Sequence, residues 1–288
     1  MLCYKKYFKH ICRLAVFSVL FSFQGCTKSK NINYAEILNK ELDIPHPSDK
    51  IPFSTTLIHA PTIKYKINGV ELFMVVDTGS NRHILLNSKP VQNLVKKDLS
   101  SNEAYSLAKK SKYYAIYFYF DAEPSFPYIL DPNGIFSTGM KKNNFDGLLG
   151  LPYLQKSRNV VFDYINNTMS FNEEPICDNS LPMYRNKDEL WFTPIECNGV
   201  KTNALIDTGC NLLFINKNKK RIIGEDKYAN VKLGNVEIND PFLGSDKDVT
   251  SNEKAKNGNY KNENIIGYSV FKDHVIQLDF EHNVFRIK

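Results

Sequence analysis

The amino-acid sequence predicts an all-β fold made of two homologous halves, and three features lead to this prediction. A segment that starts with Asn-Gly and ends in Asp-Thr-Gly stands at 68–79 and again at 198–209, so the two copies are 130 residues apart (207 − 77). A strand-like segment recurs at 160–164 and 276–280, 116 residues apart (279 − 163). Most of the remaining apolar runs are short and end at Asn, Asp, Gly or Pro, which is typical of strands.

Short strands and tight turns are expected along both halves. The runs at 114–120, 160–162 and 274–280 are rich in β-branched or aromatic residues, and each half contains two aliphatic residues followed by Gly, at 148–150 and 265–267. Asn-Gly predicts a hairpin because both central residues of a type I′ turn need positive φ. This dipeptide stands at 68–69, 133–134, 198–199 and 257–258.

The N-terminal end of the chain is expected to lie outside the fold. A basic head precedes an apolar run at 14–23 that is too short to span a bilayer as a stable helix. The run ends at Gly25-Cys26, which resembles a bacterial lipoprotein signal. The resemblance implies a lipid on Cys26 and a membrane-anchored lipoprotein of the cell envelope, facing the periplasm or the exterior. A plain signal peptide or an uncleaved anchor is the alternative, and every version takes the chain out of the cytoplasm.

The domain organisation follows from the repeat and from this N-terminal signal. The halves are treated as two lobes, with a proline-containing, charged stretch between them and a polar tether before the first lobe. The predicted segments are a signal peptide at 1–25, a tether at 26–50, an N-terminal lobe at 51–174, an interlobe linker at 175–190 and a C-terminal lobe at 191–288.

Charge and composition argue against several classes of function. Residues 1–25 carry four positive charges and no acidic residue, so without them the formal net charge falls from +6 to +2 (6 − 4). The Lys runs are short and scattered, and no nucleic-acid partner is expected. The six His show no metal-ligand spacing, so neither a metal nor a cofactor is expected. Without residues 1–25, which contain two of the six cysteines, three cysteines remain besides Cys26, and Cys177–Cys197 is the disulfide that we consider.

The repeated segment carries the residues of a two-carboxylate acid/base site. If Asp77 and Asp207 lie close together, they cannot both ionise cheaply, so they titrate as a unit. The ionised carboxylate can then take a proton from water while the neutral carboxyl donates a proton to a leaving group. Such a site needs two Asp on equivalent loops related by a two-fold axis, and a tandem duplication in one chain supplies them.

Residues that follow each Asp fit a pair of equivalent loops. Gly79 and Gly209 allow a tight turn whose backbone N–H groups point at the carboxylate. Thr78 and Thr208 offer hydroxyls that could bridge the two loops and fix their separation. The glycines after the paired aliphatic residues, at 150 and 267, would let a second strand pass close to each loop.

These motifs resemble those of the aspartic peptidases, both pepsin-like and retropepsin-like. The resemblance rests on residues 75–80, 145–154, 205–209 and 265–267, and it covers the chain from about 55 to 288. It implies a bilobal aspartic-peptidase fold, with two homologous β-barrel lobes and the active-site cleft between them. It also implies that Asp77 and Asp207 are catalytic and that the neighbouring residues support them: Thr78, Gly79, Ser80, Thr208, Gly209 and Cys210.

Two details of the family pattern bear on this site. Cys210 stands where pepsin-like enzymes usually have a Ser or Thr that donates to the outer carboxylate oxygen, so Asp207 is expected to ionise less readily. The family closes a hairpin flap over the substrate, and its flap tyrosine has several candidates here: Tyr105, Tyr113, Tyr114, Tyr117 and Tyr119.

The expected function is an aspartic endopeptidase that cleaves a peptide or protein substrate as a monomer without a cofactor. The alternative from another class is a non-catalytic surface lipoprotein that binds a protein partner through the same fold. A retropepsin-like homodimer is disfavoured because both halves of the site are in this chain. A serine hydrolase is disfavoured because the motif around Ser269 lacks the second Gly of a nucleophile elbow. A thiol nucleophile is disfavoured because Cys210 has no His close in sequence. Trp191 is expected to pack in the core.

Overall fold

The computed structural model describes residues 50–55, 59–67, 69–86, 88–97, 116–120, 123–131, 145–213, 215, 229–241 and 264–288. Over these ranges the chain is mostly β-sheet with few helices, which confirms the all-β class. The predicted signal peptide, Cys26 and nearly all of the tether lie outside the described residues, as do the Asn-Gly dipeptides at 133–134 and 257–258.

Short strands make up most of the described chain. The helices described are Lys89–Lys97 and two of four residues each, Leu151–Leu154 and Tyr268–Phe271. In chain order the strands are β1 (Ile51–Pro52), β2 (Ser54–Thr55), β3 (Pro61–Ile67), β4 (Val70–Val76), β5 (His83–Leu86), β6 (Ile116–Phe120), β7 (Glu123–Asp131), β8 (Gly147–Leu149), β9 (Asn159–Asp163), β10 (Thr168–Phe171), β11 (Ser180–Pro182), β12 (Tyr184–Arg185), β13 (Trp191–Cys197), β14 (Val200–Ile206), β15 (Val231–Leu233), β16 (Val236–Ile238), β17 (Asn264–Ile266), β18 (Val275–Asp279) and β19 (Val284–Ile287).

The described strands form three sheets, one from each half of the chain and one shared by both. The first half contributes the order β2-β3-β4-β8-β5-β7-β6, and the second half contributes β16-β15-β13-β14-β17 with β12 paired to β13. The shared sheet has the order β1-β10-β9-β18-β19-β11. None of these sheets closes into a barrel within the described ranges, so two barrel lobes stay a prediction.

A local two-fold axis relates the halves and passes through the shared sheet. Strands β9 and β18 pair antiparallel at its centre, where Val161 lies opposite Gln277. These two positions are 116 residues apart (277 − 161), which is the spacing of the sequence repeat. The register therefore maps onto itself when the halves are exchanged.

The strand that leads to each Asp-Thr-Gly has the same neighbours in both halves. Strand β4 pairs antiparallel with β3 and parallel with β8, and β14 pairs antiparallel with β13 and parallel with β17. The last three residues of β4 and of β14 are buried. Both Asp-Thr-Gly loops therefore start from strands that are fixed on two sides.

The hairpin turns follow the Asn and Gly signals where the structure describes them. Asn198 and Gly199 have φ of 48° and 80° between β13 and β14, as a type I′ turn requires, and Gly69 has φ of 79° between β3 and β4. Asn68 lies outside the described residues. Asn167 and Asn283 take positive φ at the equivalent turns β9–β10 and β18–β19.

The predicted linker at 175–190 takes part in two sheets rather than running free between the halves. Strand β11 pairs with β19 in the shared sheet, and β12 pairs with β13 in the sheet of the second half. The Cys177–Cys197 disulfide is not formed, because both cysteines are free thiols. Cys197 is buried in β13, and the Cys177 thiol donates to the Ile287 carbonyl oxygen (3.4 Å).

The buried side chains of both halves form a continuous core. Its largest fully buried members are Phe162, Phe271, Phe285, Leu72, Met74 and Leu85. Trp191 is buried beside Phe280 and under the Arg185 guanidinium, which confirms its expected packing role. No helix in the described ranges is long and apolar enough to cross a membrane.

Candidate active site

Each Asp of the repeat lies where a buried strand ends beside a parallel neighbour. The Asp77 N–H donates to the Leu149 carbonyl oxygen (2.9 Å), and the Asp207 N–H donates to the Ile266 carbonyl oxygen (3.0 Å). These bonds continue the pairing of β4 with β8 and of β14 with β17 by one residue. Asp77 is 2% exposed and Asp207 is fully buried. The duplicated sequence thus produces two carboxyl groups in duplicated backbone settings.

The turn after each Asp supplies a hydrogen bond to the carboxylate. The Gly79 N–H donates to Asp77 Oδ1 (2.8 Å), and the Gly209 N–H donates to Asp207 Oδ1 (2.9 Å). This is the arrangement that the Asp-Thr-Gly sequence predicts, because a backbone donor two residues after the Asp can reach its side chain.

The two loops approach so closely that each needs its glycine. A Cβ atom on Gly79 would lie 2.5 Å from Asp207 Cγ, and one on Gly209 would lie 2.6 Å from Asp77 Cγ. Both distances are far inside van der Waals contact, so any side chain would displace the opposite carboxyl. The sequence signal for this contact is the Gly in both copies, and the structure adds that each Gly faces the Asp of the other half.

Four hydrogen bonds between Thr78 and Thr208 and the opposite strands lock the loops together. Thr78 Oγ1 donates to the Ile206 carbonyl oxygen (2.7 Å) and accepts from the Thr208 N–H (2.9 Å). Thr208 Oγ1 donates to the Val76 carbonyl oxygen (2.8 Å) and accepts from the Thr78 N–H (3.1 Å). Both threonines are fully buried, and each hydroxyl donates one hydrogen bond and accepts another across the contact between the halves.

Ser80 and Cys210 occupy equivalent positions and make equivalent contacts. Ser80 Oγ donates to the Arg82 carbonyl oxygen (2.9 Å), and Cys210 Sγ donates to the Leu212 carbonyl oxygen (3.4 Å). The hydroxyl proton of Ser80 is therefore used within its own turn. The Cys210 backbone N–H lowers the pKa of Asp207.

The glycines at the start of the two short helices let the neighbouring loop pass. A Cβ on Gly150 would collide with the Arg82 carbonyl oxygen, and one on Gly267 would collide with the Cys210 carbonyl oxygen. In the first half, the Gly150 N–H also donates to His83 Nδ1 (3.1 Å). Burial, with a smaller effect of Lys156, lowers the pKa of His83 to about 3, so the ring is neutral and accepts at Nδ1.

His83 is a structural residue of the site that the sequence did not reveal. It lies three residues after the segment 75–80 that resembles the family, and no local pattern singled it out. The equivalent residue in the other half is Leu213 (83 + 130), which is also buried. The equivalent backbone is therefore held by a hydrogen bond to His83 in the first half and by apolar packing of Leu213 in the second half.

The electrostatic setting favours one proton on the Asp pair. Burial and the charge of Asp77 raise the pKa of Asp207 well above its ordinary range, and the Gly209 and Cys210 N–H groups oppose this shift. Part of the rise comes from a hydrogen bond between the two carboxyls, which requires a proton on one of them. Asp207 Oδ2 is buried and accepts no hydrogen bond from any N–H or O–H group of the described residues. The arrangement can hold one ionised and one neutral carboxyl side by side.

Other residues considered in the sequence lie elsewhere. Ser269 is buried in the helix Tyr268–Phe271, not in the strand before it. Tyr105, Tyr113 and Tyr114 lie outside the described residues, and Tyr117 and Tyr119 lie on β6, which forms a hairpin with β7. Cys26 also lies outside them. Within the described ranges, no three His, Cys, Asp or Glu side chains are grouped so that they could hold a metal ion.

Comparison with known proteins found no family model that matches this chain and no matching curated protein. The functional interpretation therefore depends on the duplicated motifs and on the geometry of the two loops.

Proposed function

We propose that this protein is an aspartic endopeptidase on a bilobal aspartic-peptidase fold, and that Asp77 and Asp207 activate a water molecule between them. The observation that carries the proposal is the mutual contact of the two Asp-Thr-Gly loops. Each carboxyl faces the glycine of the other loop, and Thr78 and Thr208 fix the separation by reciprocal hydrogen bonds. A protein whose sole task is to bind a partner would not need two buried carboxyls in contact, because this arrangement costs free energy.

The chemistry follows from the shared proton. The ionised carboxylate removes a proton from water as the water oxygen attacks the carbonyl carbon of the peptide, and the neutral carboxyl donates its proton to the carbonyl oxygen. The tetrahedral diol then collapses: one diol hydroxyl gives its proton to the ionised carboxylate, the C–N bond breaks, and the neutral carboxyl gives its proton to the leaving nitrogen, so the pair ends with one proton as it began. The raised pKa of Asp207 supports this cycle, because it keeps a proton on the pair at mildly acidic pH.

The rival proposal is a non-catalytic lipoprotein that binds a protein partner through the same fold. Its specific support was Cys210, the residue that departs from the family pattern beside Asp207. Cys210 makes the same turn contact as Ser80, so its presence gives little reason to expect an inactive site. We therefore favour the peptidase.

Cleavage of a peptide library by the full chain, from acid to neutral pH, tests the peptidase proposal. We expect cleavage within extended peptides by the wild type and none by Asp77→Asn or Asp207→Asn, with all three proteins folded by circular dichroism. A folded wild type that cleaves no peptide at any pH, yet binds a protein partner equally well with Asp77→Asn, would establish the binding function instead.

We also propose that the chain is anchored in the cell envelope by a lipid on Cys26. This proposal rests on the short apolar run that ends in Gly25-Cys26. Cys26→Ala should release or mislocalise the protein, because a lipid anchor supplies much of the membrane affinity. Cys177→Ala, which changes a free thiol of the folded part, is the matched control. Unchanged membrane fractionation of Cys26→Ala, with no lipid label on the wild type, would contradict the anchor.

A further inference from the structure

The turn that carries Asp77 is bonded at both ends to neighbouring residues of one segment. The Asp77 N–H donates to the Leu149 carbonyl oxygen (2.9 Å), and the Leu151 N–H donates to the Ser80 carbonyl oxygen (2.8 Å). Gly150 lies between these two residues, and a Cβ atom on it would lie 2.5 Å from the Ser80 carbonyl oxygen. A displacement of Gly150 would therefore move β8 relative to both ends of the turn.

His83 is the side chain that holds Gly150 in place. It begins β5, is 2% exposed, and accepts from the Gly150 N–H at Nδ1 (3.1 Å). A buried N–H group that loses its acceptor costs free energy, so this bond fixes the end of β8 against the start of β5. The ring can accept only while Nδ1 carries no proton.

The second half has the same turn with an apolar side chain in place of this acceptor. The Asp207 turn repeats the two backbone bonds, since its first N–H donates to the Ile266 carbonyl oxygen (3.0 Å) and the carbonyl oxygen of its fourth residue accepts from the Tyr268 N–H (2.8 Å). Leu213 stands in the place of His83 and is fully buried, but its side chain contains no acceptor. The first half thus adds a side-chain hydrogen bond to a backbone frame that both halves have.

We propose that His83 is a positioning residue, whose neutral ring holds the Asp77 turn where catalysis needs it and whose protonation in acid releases the turn. This inference rests on the proposed function. A displacement of about 1 Å at a reacting group can cost about two orders of magnitude in rate, so a bond to the backbone beside Asp77 can control turnover. Protonation turns Nδ1 from an acceptor into a donor that faces the Gly150 N–H, so the bond is lost.

Burial and a nearby positive charge keep the ring neutral. Burial, followed by the charge of Lys156, lowers the pKa of His83 from its ordinary value of 6.5 to about 3. Lys156 lies shortly after the helix Leu151–Leu154, which contains no charged residue. Arg82 is the charged residue next to His83 in the chain. The hydrogen bond to Gly150 therefore persists in the folded protein through the mildly acidic range.

The strands on either side of β5 place uncharged residues next to it. Strand β8 pairs with β5 through Gly147 and Leu148. Strand β7 pairs with β5 on its other edge, and the residue in register with His83 is Tyr128, which is titratable. Acid release of the turn is therefore expected to depend on the protonation of His83 itself.

Unfolding measured against pH tests the release without requiring activity. Stability that depends on the neutral ring is fully present above pH 6.5 and is lost as pH falls towards the folded pKa of about 3. His83→Asn keeps an acceptor, because Asn Oδ1 can take the place of Nδ1, but it does not titrate. The unfolding constant of the wild type, divided by that of His83→Asn, should rise about tenfold per pH unit between about pH 6 and 4.

Turnover tests the positioning role. His83→Leu copies the second half and removes the acceptor, so kcat should fall about tenfold or more while KM stays within about twofold. His83→Asn should recover most of the lost kcat. His274→Leu is the matched control, because the His274 ring contacts the Lys288 carbonyl oxygen (3.3 Å), and its kcat should equal that of the wild type.

The release and the positioning role can each be overturned. A ratio of unfolding constants that stays the same from about pH 6 to 4 would overturn the release in acid. Wild-type kcat in His83→Leu, or a loss in His83→Asn as large as in His83→Leu, would overturn the positioning role.

Nitrogen-15 NMR of the wild type keeps the proposal testable if His83→Leu does not fold. A scalar coupling between the Gly150 amide nitrogen and His83 Nδ1 is expected at neutral pH, and its absence would overturn the proposal. The expected coupling and pH dependence, without cleavage of any peptide, would overturn the peptidase proposal alone.

Discussion

Asp207 and Asp279 are both buried carboxyl groups in the second half of the chain, and their surroundings shift their pKa values in opposite directions. Burial acts to raise the pKa of Asp279, but hydrogen bonds from His282 and Arg286 outweigh it, so that this pKa is lowered. Arg286 Nη1 lies 3.0 Å from Asp279 Oδ2, and the His282 N–H donates to Oδ1 (3.1 Å). Asp207 instead faces Asp77 and keeps one oxygen without a donor from the described residues, and its pKa is raised.

The difference teaches how the surroundings decide whether a buried carboxyl is held in its charged or its neutral form. A buried carboxylate whose oxygens are matched by cations and N–H groups stabilises the fold in its charged form. A buried carboxyl that meets a second carboxyl destabilises the fold when charged and keeps its proton to a higher pH than an isolated carboxyl does. That proton is available for chemistry, and the free energy for holding it comes from the rest of the fold.

Turnover should separate the two acids most strongly. Asp207→Asn should lower kcat about 10⁴-fold or more, because the pair acts as a unit. Asp279→Asn removes a carboxylate on the shared sheet, so the folded protein should retain kcat within about threefold of the wild type. Peptide cleavage per folded molecule is the measurement. Similar losses in both variants would remove the distinction.

Stability at neutral pH should show the reverse order. Asp279→Asn leaves the Arg286 guanidinium, whose side chain is 12% exposed, without its anionic partner. We expect a loss of about 3 kcal/mol in the free energy of unfolding, as is usual when one partner of a buried pair is removed. Denaturant unfolding measures it, and an unchanged midpoint in Asp279→Asn would show that the buried ion pair does not stabilise the fold.

Asp207→Asn should instead stabilise the protein at neutral pH, because it removes the carboxyl whose pKa burial and the charge of Asp77 raise. The Asn oxygen can still accept from the Gly209 N–H, and the new amide can donate to Asp77. Repulsion between two carboxylates is then absent. A destabilised Asp207→Asn at neutral pH, with the fold intact, would contradict a raised pKa at this position.

The stability contributed by Asp207 and the stability contributed by Asp279 should change with pH in opposite directions. Asp207 has a raised folded pKa, so its contribution to stability is fully present below the ordinary Asp value of 3.8 and is lost as pH rises through the folded pKa. Asp279 has a lowered folded pKa, so its contribution is present above that ordinary value and is lost as pH falls through the folded pKa. The loss on the alkaline side should disappear in Asp207→Asn, and the loss on the acid side should shrink in Asp279→Asn.

The smallest change in turnover is expected for Cys210→Ser, at the end of the loop that begins with Asp207. Since the thiol donates to the Leu212 carbonyl as Ser80 does to Arg82, Cys210→Ser should preserve or raise turnover, by less than about threefold. Any shift of the acid limb should be to lower pH, as a stronger donor near the carboxylate would cause. Loss of turnover in Cys210→Ser, together with inactivation of the wild type by thiol alkylation, would identify a cysteine nucleophile instead.

The repeat spacing made the central geometry predictable from sequence. The Asp-Thr-Gly copies give the two loops because Gly and Thr have local reasons to be there, namely a tight turn and a hydroxyl that must be bonded. The 116-residue spacing of the closing strands also appears directly in the structure, as the register of Val161 with Gln277. Local duplication thus predicted a contact between residues far apart in the chain.

What could not be predicted depends on contacts that leave no local pattern. Proline and charged residues at 175–190 suggested a linker, whereas Ser180 in that stretch pairs with Arg286 more than a hundred residues later (286 − 180). The ion pair of Asp279 with Arg286 depends on the hairpin register, and Asp279 had looked like an ordinary strand residue.

The most direct test of the shared carboxyl pair is the turnover of Asp77→Asn, Asp207→Asn and the double variant, measured on one peptide at the optimum pH of the wild type. If the two carboxyls share one proton and act together, each single variant should lose hydrolysis by about 10⁴-fold or more, and the double variant should be no worse than either. Near-wild-type turnover in either single variant, or losses that multiply in the double variant, would contradict the account.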